Sequence, residues 1–309
     1  MKIPCIMDCD PGHDDAIALI LAYGSDKIEI RAVTTTAGNQ TIEKTTNNAL
    51  RIMTFLGAKI PVAPGCAKPL FRDLIIAPEV HGESGLDGPV LPEPAYEAEP
   101  VHAVELMAET VKNSNEKITI VPTGALTNVA LFLLTYPELK DRIERISLMG
   151  GACWGGNWTP AAEFNILVDP EAARIVFESG IPITMSGLDV THKAYIADDD
   201  RERFRKTGTK TAVMVAELLD FFAKFHDENF DFHGSPLHDP CAVAWLIAPE
   251  IFTGRDCHVE IETTGKLTTG STVVDFYNVL KKEKNATVLF DIDREKFVDL
   301  LAGHLEEMP

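Results

Sequence analysis

Apolar and polar positions along this chain follow two rhythms. Short apolar runs at residues 3–7 (Ile3, Cys5, Ile6, Met7), 28–34, 118–121, 146–149 and 181–185 read as strands. Between the first two, apolar residues recur at helical spacing (Ile17, Ile20, Leu21), which predicts a helix over 15–23 with Gly24 as its stop. Residues 3–34 are therefore a βαβ unit. Each later strand is followed by Gly or Pro punctuation and then, at varying distance, by helical sequence. That alternation predicts an α/β fold: a Rossmann-like, mostly parallel central sheet flanked by helices on both faces.

Residues 198–232 read as mostly charged-amphipathic helix, ending in an aromatic patch of Phe221, Phe222, Phe225, Phe230 and Phe232. That patch is expected to be core, less firmly so for Phe230 and Phe232, which lie in a looser Gly-containing segment. Two long stretches, 61–94 and 150–165, lack a regular pattern, and loops of that length in a compact domain tend to be functional. No repeat, low-complexity tract or linker interrupts the chain, so a single domain over residues 1–309 is expected.

Polar residues collect where the strands end. Asp8 and Asp10 close the first strand, residues 36–39 follow the second, Thr123-Gly124 follows Val121, and Gly150-Gly151 follows Met149. In parallel α/β sheets, ligands bind beyond the carboxyl ends of the strands. Convergence of polar residues from separate strand ends is harder to explain by chance than any single motif.

Composition narrows the partner. With 28 Lys and Arg against 47 Asp and Glu, the 309-residue chain carries a formal charge of -19. It has no cluster of basic residues, which disfavours a nucleic-acid partner and favours a small neutral or cationic ligand. No apolar run reaches the roughly 18 residues of a membrane span. The amino terminus enters a strand without the pattern of a secretory signal, so a cytoplasmic protein is expected. The six cysteines lack zinc-type pairing and are expected to be mostly buried free thiols; Cys5 and Cys9 share a strand, too far apart to bridge.

The run Asp8-Cys9-Asp10-Pro11-Gly12-His13-Asp14-Asp15 places four carboxylates between a strand and a helix. Two carboxylates about 4 Å apart repel by roughly 4 kcal/mol at an effective dielectric near 20, so several facing one another need protons or a cation. A hard metal ion is the simpler answer. An EF-hand counted from Asp8 fails, because Leu19 falls where a bidentate Glu is needed and Gly12 falls at the fifth position. A phosphoaspartate hydrolase reading fails as well, since Pro11-Gly12-His13 replaces the expected hydrophobic-Thr step. Helix capping accounts for Asp14 and Asp15 and leaves Asp8 and Asp10 unexplained.

The segment Asp8-Cys9-Asp10-Pro11-Gly12-His13-Asp14-Asp15-Ala16 resembles the signature of the inosine-uridine nucleoside hydrolase family. The resemblance continues in order through Ala37-Gly38-Asn39-Gln40-Thr41, His81-Gly82-Glu83-Ser84-Gly85-Leu86-Asp87-Gly88, Pro122-Thr123-Gly124 and Met149-Gly150-Gly151. It extends through the run from Gly156-Asn157-Trp158 to Glu163-Phe164-Asn165 and through Leu237-His238-Asp239-Pro240. Within the family the chain most resembles the bacterial pyrimidine-specific ribonucleoside hydrolases. The resemblance implies the nucleoside hydrolase fold, hydrolysis of the N-glycosidic bond of ribonucleosides to ribose and free base for nucleoside salvage, a tightly bound Ca²⁺, and a homo-oligomer, tetramer or dimer.

By the family pattern, Asp10, Asp15, Asp239 and the carbonyl of Thr123 hold the metal, and Asp10 is also general base toward the attacking water. Asp14, Asn39, Asn157, Glu163 and Asn165 surround the ribose, a set of amides and carboxylates suited to reading hydroxyls. Asp8 is expected to orient its neighbours. His81 and His238 match base-pocket histidines and are the candidates for protonating the departing base. His226 and Phe230 fall where relatives carry mobile base-contacting side chains. Met149 and Phe164 fit either substrate packing or core, and His13 is given no role.

Two competing classes stand beside this reading. A nonenzymatic nucleoside- or calcium-binding protein could use the same fold, and a metal-dependent phosphohydrolase would need a basic phosphate cradle that the candidate loops lack.

Overall fold

Successive residues of the first strand, β1 (Ile3–Cys9), face opposite sides of a sheet, and both sides are apolar. Cys5, Met7 and Cys9 enter one hydrophobic core, Ile6 another. A strand buried on both faces belongs to a parallel sheet covered by helices. The computed structural model describes residues 2–229 and 234–309, the side chains of 225–229 excepted.

The central sheet is built from β1 with β2 (Ile28–Thr35), β3 (Val62–Pro64), β4 (Ile118–Pro122), β5 (Ile143–Met149) and β6 (Ile183–Ser186). Beyond β6, two short strands, β7 (Tyr195–Ile196) and β8 (Ser235–Pro236), pair with each other. The sheet takes in β9 (Phe252–Cys257) and leaves β10 (Val259–Ile261) and β11 (Thr272–Val274) as a separate antiparallel pair. With β12 (Ala286–Ile292), the main sheet has eight strands in the order β3-β2-β1-β4-β5-β6-β12-β9. Every neighbouring pair in it is parallel except β12 with β9.

Helices cover both faces. Residues of the helices His13–Gly24, Ile42–Phe55, Pro240–Ile247 and Arg294–Glu307 fill the core that takes Met7, while Ala103–Asn113, Thr127–Thr135 and Pro170–Phe177 fill the one that takes Ile6.

Several elements differ from the sequence expectation for identifiable reasons. The first helix begins at His13 rather than at residue 15, because the Asp15 carboxylate reaches back to accept from Gly12 N at 3.0 Å and caps it. Strand β5 begins three residues early, at Ile143, and takes in polar Glu144 and Arg145, where the Arg145 guanidinium lies 5.2 Å over the Trp245 ring. The expected single helix over 198–232 is two, Asp198–Thr207 and Lys210–Asn229. Gly208 separates them at φ 75°, a left-handed cap that glycine adopts without steric cost. Strand β3 is three residues long and β9 is mostly polar, so neither carries an apolar run; β12 does carry one, in Val288, Leu289 and Phe290, and the strand expectation above does not include it.

The aromatic patch is split. Phe222 is buried and Phe221 half-buried, both stacked on His13, whereas Phe230, Phe232 and the side chain of Phe225 lie outside the described residues. The cysteines are free thiols, five buried and Cys153 half-buried.

Beneath the sheet's carboxyl edge, Asn128 ties three segments together. Its Nδ2 donates to Asp8 Oδ1 at 2.8 Å and to the Thr35 carbonyl at 2.9 Å, and its Oδ1 accepts from Cys66 N at 2.9 Å. Truncating it strands several buried partners, each at about 1–3 kcal/mol. Asn128→Ala is expected to lower the unfolding free energy by about 3 kcal/mol in urea titration; a loss under about 1 kcal/mol would show that water replaces the amide.

Candidate active site

The strand order reverses at β1. From β1 the chain runs outward to β2 and β3, then returns to β4 on the other side of β1. The loops leaving β1 and β4 therefore part in opposite directions and open a crevice at their carboxyl ends. Asp8 pairs in register with Pro122, which brings the aspartate run beside Thr123. Thr123 N donates to the Asp8 carbonyl at 2.9 Å, fixing the two loops together.

Four carboxylates converge there. Asp10, Asp15 and Asp239 are buried, and Asp14 is only 5% exposed. Asp14, Asp15 and Asp239 each offer an oxygen within 4.8 Å of the others, a group able to hold a metal ion. Asp14 rather than Asp10 thus completes the tightest triple. Asp15 is held most firmly: Oδ1 accepts from Thr123 Oγ1 at 2.7 Å and from Asp10 N at 3.2 Å, and Oδ2 accepts from Gly12 N and from Asn39 Nδ2 at 3.1 Å. Asp15 is therefore both helix cap and site carboxylate.

Asp10 sits between two glycines. Its Oδ2 accepts from Asn39 N at 2.6 Å, while Oδ1 is buried with no hydrogen-bond partner. A Cβ at Gly38 would lie 2.2 Å from Oδ2, and one at Gly124 would lie 2.3 Å from Oδ1. The Gly38-Asn39 and Thr123-Gly124 motifs are thus cleared space around this carboxylate.

Among the described residues no ion pair reaches these four groups. Burial, reinforced by the neighbouring carboxylates, raises Asp14 to about 7 and holds Asp10 and Asp239 well above the usual carboxylate range. Burial likewise raises Asp15, against the hydrogen bonds it accepts. Asp14, Asp15 and Asp239 stand within 4.8 Å of one another, so each raises the affinity of the others for a proton or a cation. Such a cluster binds protons or a cation, and the unpartnered Asp10 oxygen favours the cation. Asp8 stands one layer below. Its Oδ1 accepts from Thr34 Oγ1 and Asn128, its Oδ2 has no partner, and burial pushes it up to about 7.

Above the carboxylates opens a cavity of about 860 Å³, counting the solvent at its mouth. Asp14, Asn39, His81, Thr123, Asn157, Glu163, Asn165, His238 and Asp239 line it, as do Met149 and Phe164. Asp10 and Asp15 are not among its lining residues. The side chain of His226, and Phe230 altogether, lie outside the described residues.

The polar residues of the 150–165 loop do structural work as well. Glu163 caps the helix Phe164–Val168, accepting from Asn165 N at 2.9 Å and Ile166 N at 3.1 Å, and also accepts from Gly151 N at 2.8 Å. Asn157 Oδ1 accepts from Phe164 N at 3.0 Å. Asn165 Nδ2 donates to the Thr123 carbonyl at 2.7 Å, leaving that oxygen a second lone pair, and approaches the Met149 carbonyl at 3.3 Å.

Two histidines flank the opposite wall. His238 Nδ1 lies 2.8 Å from Thr191 Oγ1, and the His192 ring meets its edge with centroids 5.7 Å apart. His81 is 5% exposed, and Gly12 admits it: a Cβ there would lie 2.6 Å from His81 Nδ1. Behind it stands His13, fully buried, lowered by that burial to about 4 and stacked on Phe221 with centroids 4.9 Å apart. His13, to which the sequence assigned no role, thus backs the wall that His81 and Phe222 line. Sequence reasoning also missed His192, Trp158, Val80 and Phe222 as lining residues. Trp158 lies inside a motif already singled out, and His192 follows a strand end; Phe222 has helical core spacing and carried no signal.

The chain matches the model of the family described as inosine-uridine preferring nucleoside hydrolase over residues 5–299. It is 61% identical over 307 residues to the pyrimidine-specific ribonucleoside hydrolase RihA of Photobacterium profundum, covering 99% of both chains. To the Escherichia coli protein of the same name it is 59% identical over 308 residues, again covering 99% of each. Among solved structures, the purine-preferring ribonucleoside hydrolase from Gardnerella vaginalis superposes with a TM-score of 0.92 at 32% identity over 98% of both chains. A plant nucleoside hydrolase, PpNRh1, superposes at 0.91 with 31% identity over 99% of both. Match across nearly the whole length, with the carboxylate cluster and the cavity in place, means that the chain belongs to the inosine-uridine preferring nucleoside hydrolase family.

Proposed function

We propose that this enzyme hydrolyses the N-glycosidic bond of pyrimidine ribonucleosides, uridine and cytidine, with Ca²⁺ as its metal, in cytoplasmic nucleoside salvage. The observation that carries the reading is a buried cluster of four carboxylates without a basic partner among the described residues, lying under a cavity of nucleoside size. The donor set is all oxygen, which suits Ca²⁺ with its six to eight oxygen ligands. Asp10, Asp15, Asp239 and the Thr123 carbonyl would hold it, and the unpartnered Asp10 Oδ1 is the atom that most needs it. Bound there, Ca²⁺ would supply hard Lewis-acid chemistry toward oxygen ligands.

The chain's own groups do the rest. Asp10 accepts the proton of the attacking water. Asp14, Asn39, Asn157, Glu163 and Asn165 orient the ribose, and the nearby carboxylates stabilise the positive charge that grows on the ribosyl ring as the bond to the base breaks. His81 and His238 supply the proton or hydrogen bond that lets the base depart. His226 and Phe230 are base contacts on this reading, the protein is a single domain, and it assembles as a dimer or tetramer. The pyrimidine preference rests on the two relatives near 60% identity, since the purine-preferring enzyme has the same fold.

Release of ribose from uridine, cytidine and inosine, with and without a chelator, tests the whole reading. The expected result is metal-dependent cleavage of the two pyrimidine nucleosides at least tenfold faster than inosine; inosine as the better substrate would overturn the preference. Asp10→Asn should lower kcat on uridine by about 10³-fold, within the range of a lost general base, while circular dichroism is unchanged. Turnover within tenfold of wild type would remove Asp10 from that role.

Protonation and metal binding compete at this site. Carboxyl groups whose pKa is higher folded than unfolded stabilise the fold fully only below the unfolded value, and that contribution is lost as pH rises through the folded one, about 7 for Asp14. The metal-free protein should therefore lose stability between pH 5 and pH 8. Added Ca²⁺ should raise Tm more at pH 8 than at pH 5.5 in differential scanning fluorimetry. Equal increments at both pH values would mean that these carboxylates do not take the ion.

A further inference from the structure

Behind the wall that carries His81, one helix face grips the backbone by its carbonyls. Gln40 stands just before the helix Ile42–Phe55, and Lys44 and Asn48 follow at helical spacing, so the three side chains share a face. They donate to three successive backbone oxygens: Gln40 Nε2 to Gly82 at 3.0 Å, Lys44 Nζ to Glu83, and Asn48 Nδ2 to Ser84 at 2.9 Å. The turn held in this way follows directly on Ala77, Val80 and His81, which line the cavity.

Asn48 does more than its two neighbours. Its Nδ2 also donates to the Pro11 carbonyl at 3.0 Å, inside the aspartate run. Pro11 lies 37 residues before Asn48 and Ser84 lies 36 after it, so one buried amide joins two loops that the sequence keeps far apart. Both partners are carbonyl oxygens, which only accept; the amide must face them with its nitrogen, and both of its hydrogens are used. Gly85 leaves the space for it: φ there is 85°, and a Cβ would lie 2.9 Å from Asn48 Nδ2. His13 also reaches the turn, through its N–H to His81 Nδ1 at 3.4 Å and its Nε2 to the Asp87 carbonyl at 2.7 Å. The first of these is long for a hydrogen bond and the second holds the far end, so Asn48 is the firmer restraint on the middle of the turn.

We propose that Asn48 is a positioning residue: by holding Pro11 and Ser84 on one amide, it keeps the wall that carries His81 in register with the carboxylate cluster. The proposal rests on the reading of His81 as a base-side group. Asn48 does not line the cavity, so its effect passes through the wall. Without it the wall drifts against the carboxylates, and a displacement of about 1 Å at a reacting group costs about 10²-fold in rate.

A double-mutant cycle in the full-length enzyme with Ca²⁺ separates positioning from support of the fold. Asn48→Ala should lower kcat on uridine about 10²-fold, with KM changed less than about threefold. The same variant should cleave p-nitrophenyl ribofuranoside, whose leaving group departs without help from the wall, within about threefold of wild type. In a His81→Ala background, Asn48→Ala should cost less than about threefold more on uridine, because the group it positions is already gone. Gly85→Ala, whose methyl reaches the same amide from the turn, repeats the measurement should Asn48→Ala fail to fold, and the same selective loss is expected. No loss on uridine, equal loss on both substrates, or the full loss again in the His81→Ala background would overturn the proposal. Failure of the base-side reading has its own signature: His81→Ala alone turns over uridine at the wild-type rate, and the proposal falls with it. A wild-type enzyme that cleaves inosine and leaves uridine intact refutes only the pyrimidine preference, and the cycle is then read on inosine.

Discussion

Mutual repulsion of carboxylates held away from water is the constraint around which this molecule is built. Asp10, Asp14, Asp15 and Asp239 come from two distant parts of the chain, and burying them together is unfavourable unless a proton or a cation neutralises them. The strand order supplies the place: at the reversal beside β1, two loops diverge and no helix fills the gap. Backbone N–H groups of residues 10, 12 and 39 then fix the carboxylates without adding positive charge. The site is thus rigid before any ligand arrives, and it remains electrostatically incomplete.

Two walls of the cavity are built differently. On one wall, Asn157 and Glu163 accept from backbone N–H groups of their own loop and Asn165 donates to the Thr123 carbonyl, so these polar residues also shape the loop. Substituting any of them changes position as well as chemistry. On the other wall, His81 and Phe222 stack with His13 and Phe221 behind them, rings contributed by the segment Pro78–His81, the first helix and the helix Lys210–Asn229. Ring stacking orients without specifying a hydrogen-bond pattern, which leaves room for base preference to vary on one frame. The near-identical fold of a purine-preferring hydrolase at 32% identity is consistent with that division.

Helix capping and the cavity share carboxylates. Asp15 caps the first helix while facing Asp239, and Glu163 caps Phe164–Val168 at the cavity rim. A carboxylate already held by backbone N–H groups has lost its rotamer freedom, so little further ordering is needed when substrate binds. For Asp15 the two roles are compatible in geometry, since the carboxylate that caps the helix also belongs to the group able to hold a metal ion.

Much of this was legible in the sequence, because some physical signals are local. Apolar runs and helical spacing revealed β1, β2, β4 and the first helix, and Gly-flanked polar residues at strand ends marked the cavity before any coordinates. What is not local stayed hidden. Strands β3 and β9 are strands because of their neighbours, and Gly208 ends a helix only because its φ turns positive there. His13 was left without a role since nothing nearby in the chain pairs with it; its partners are 68 and 74 residues away. The sequence determined which groups could carry charge and protons. Tertiary structure alone decided which of them meet, because buried electrostatics and hydrogen-bond direction depend on distances that the chain acquires only when the sheet closes over its helices.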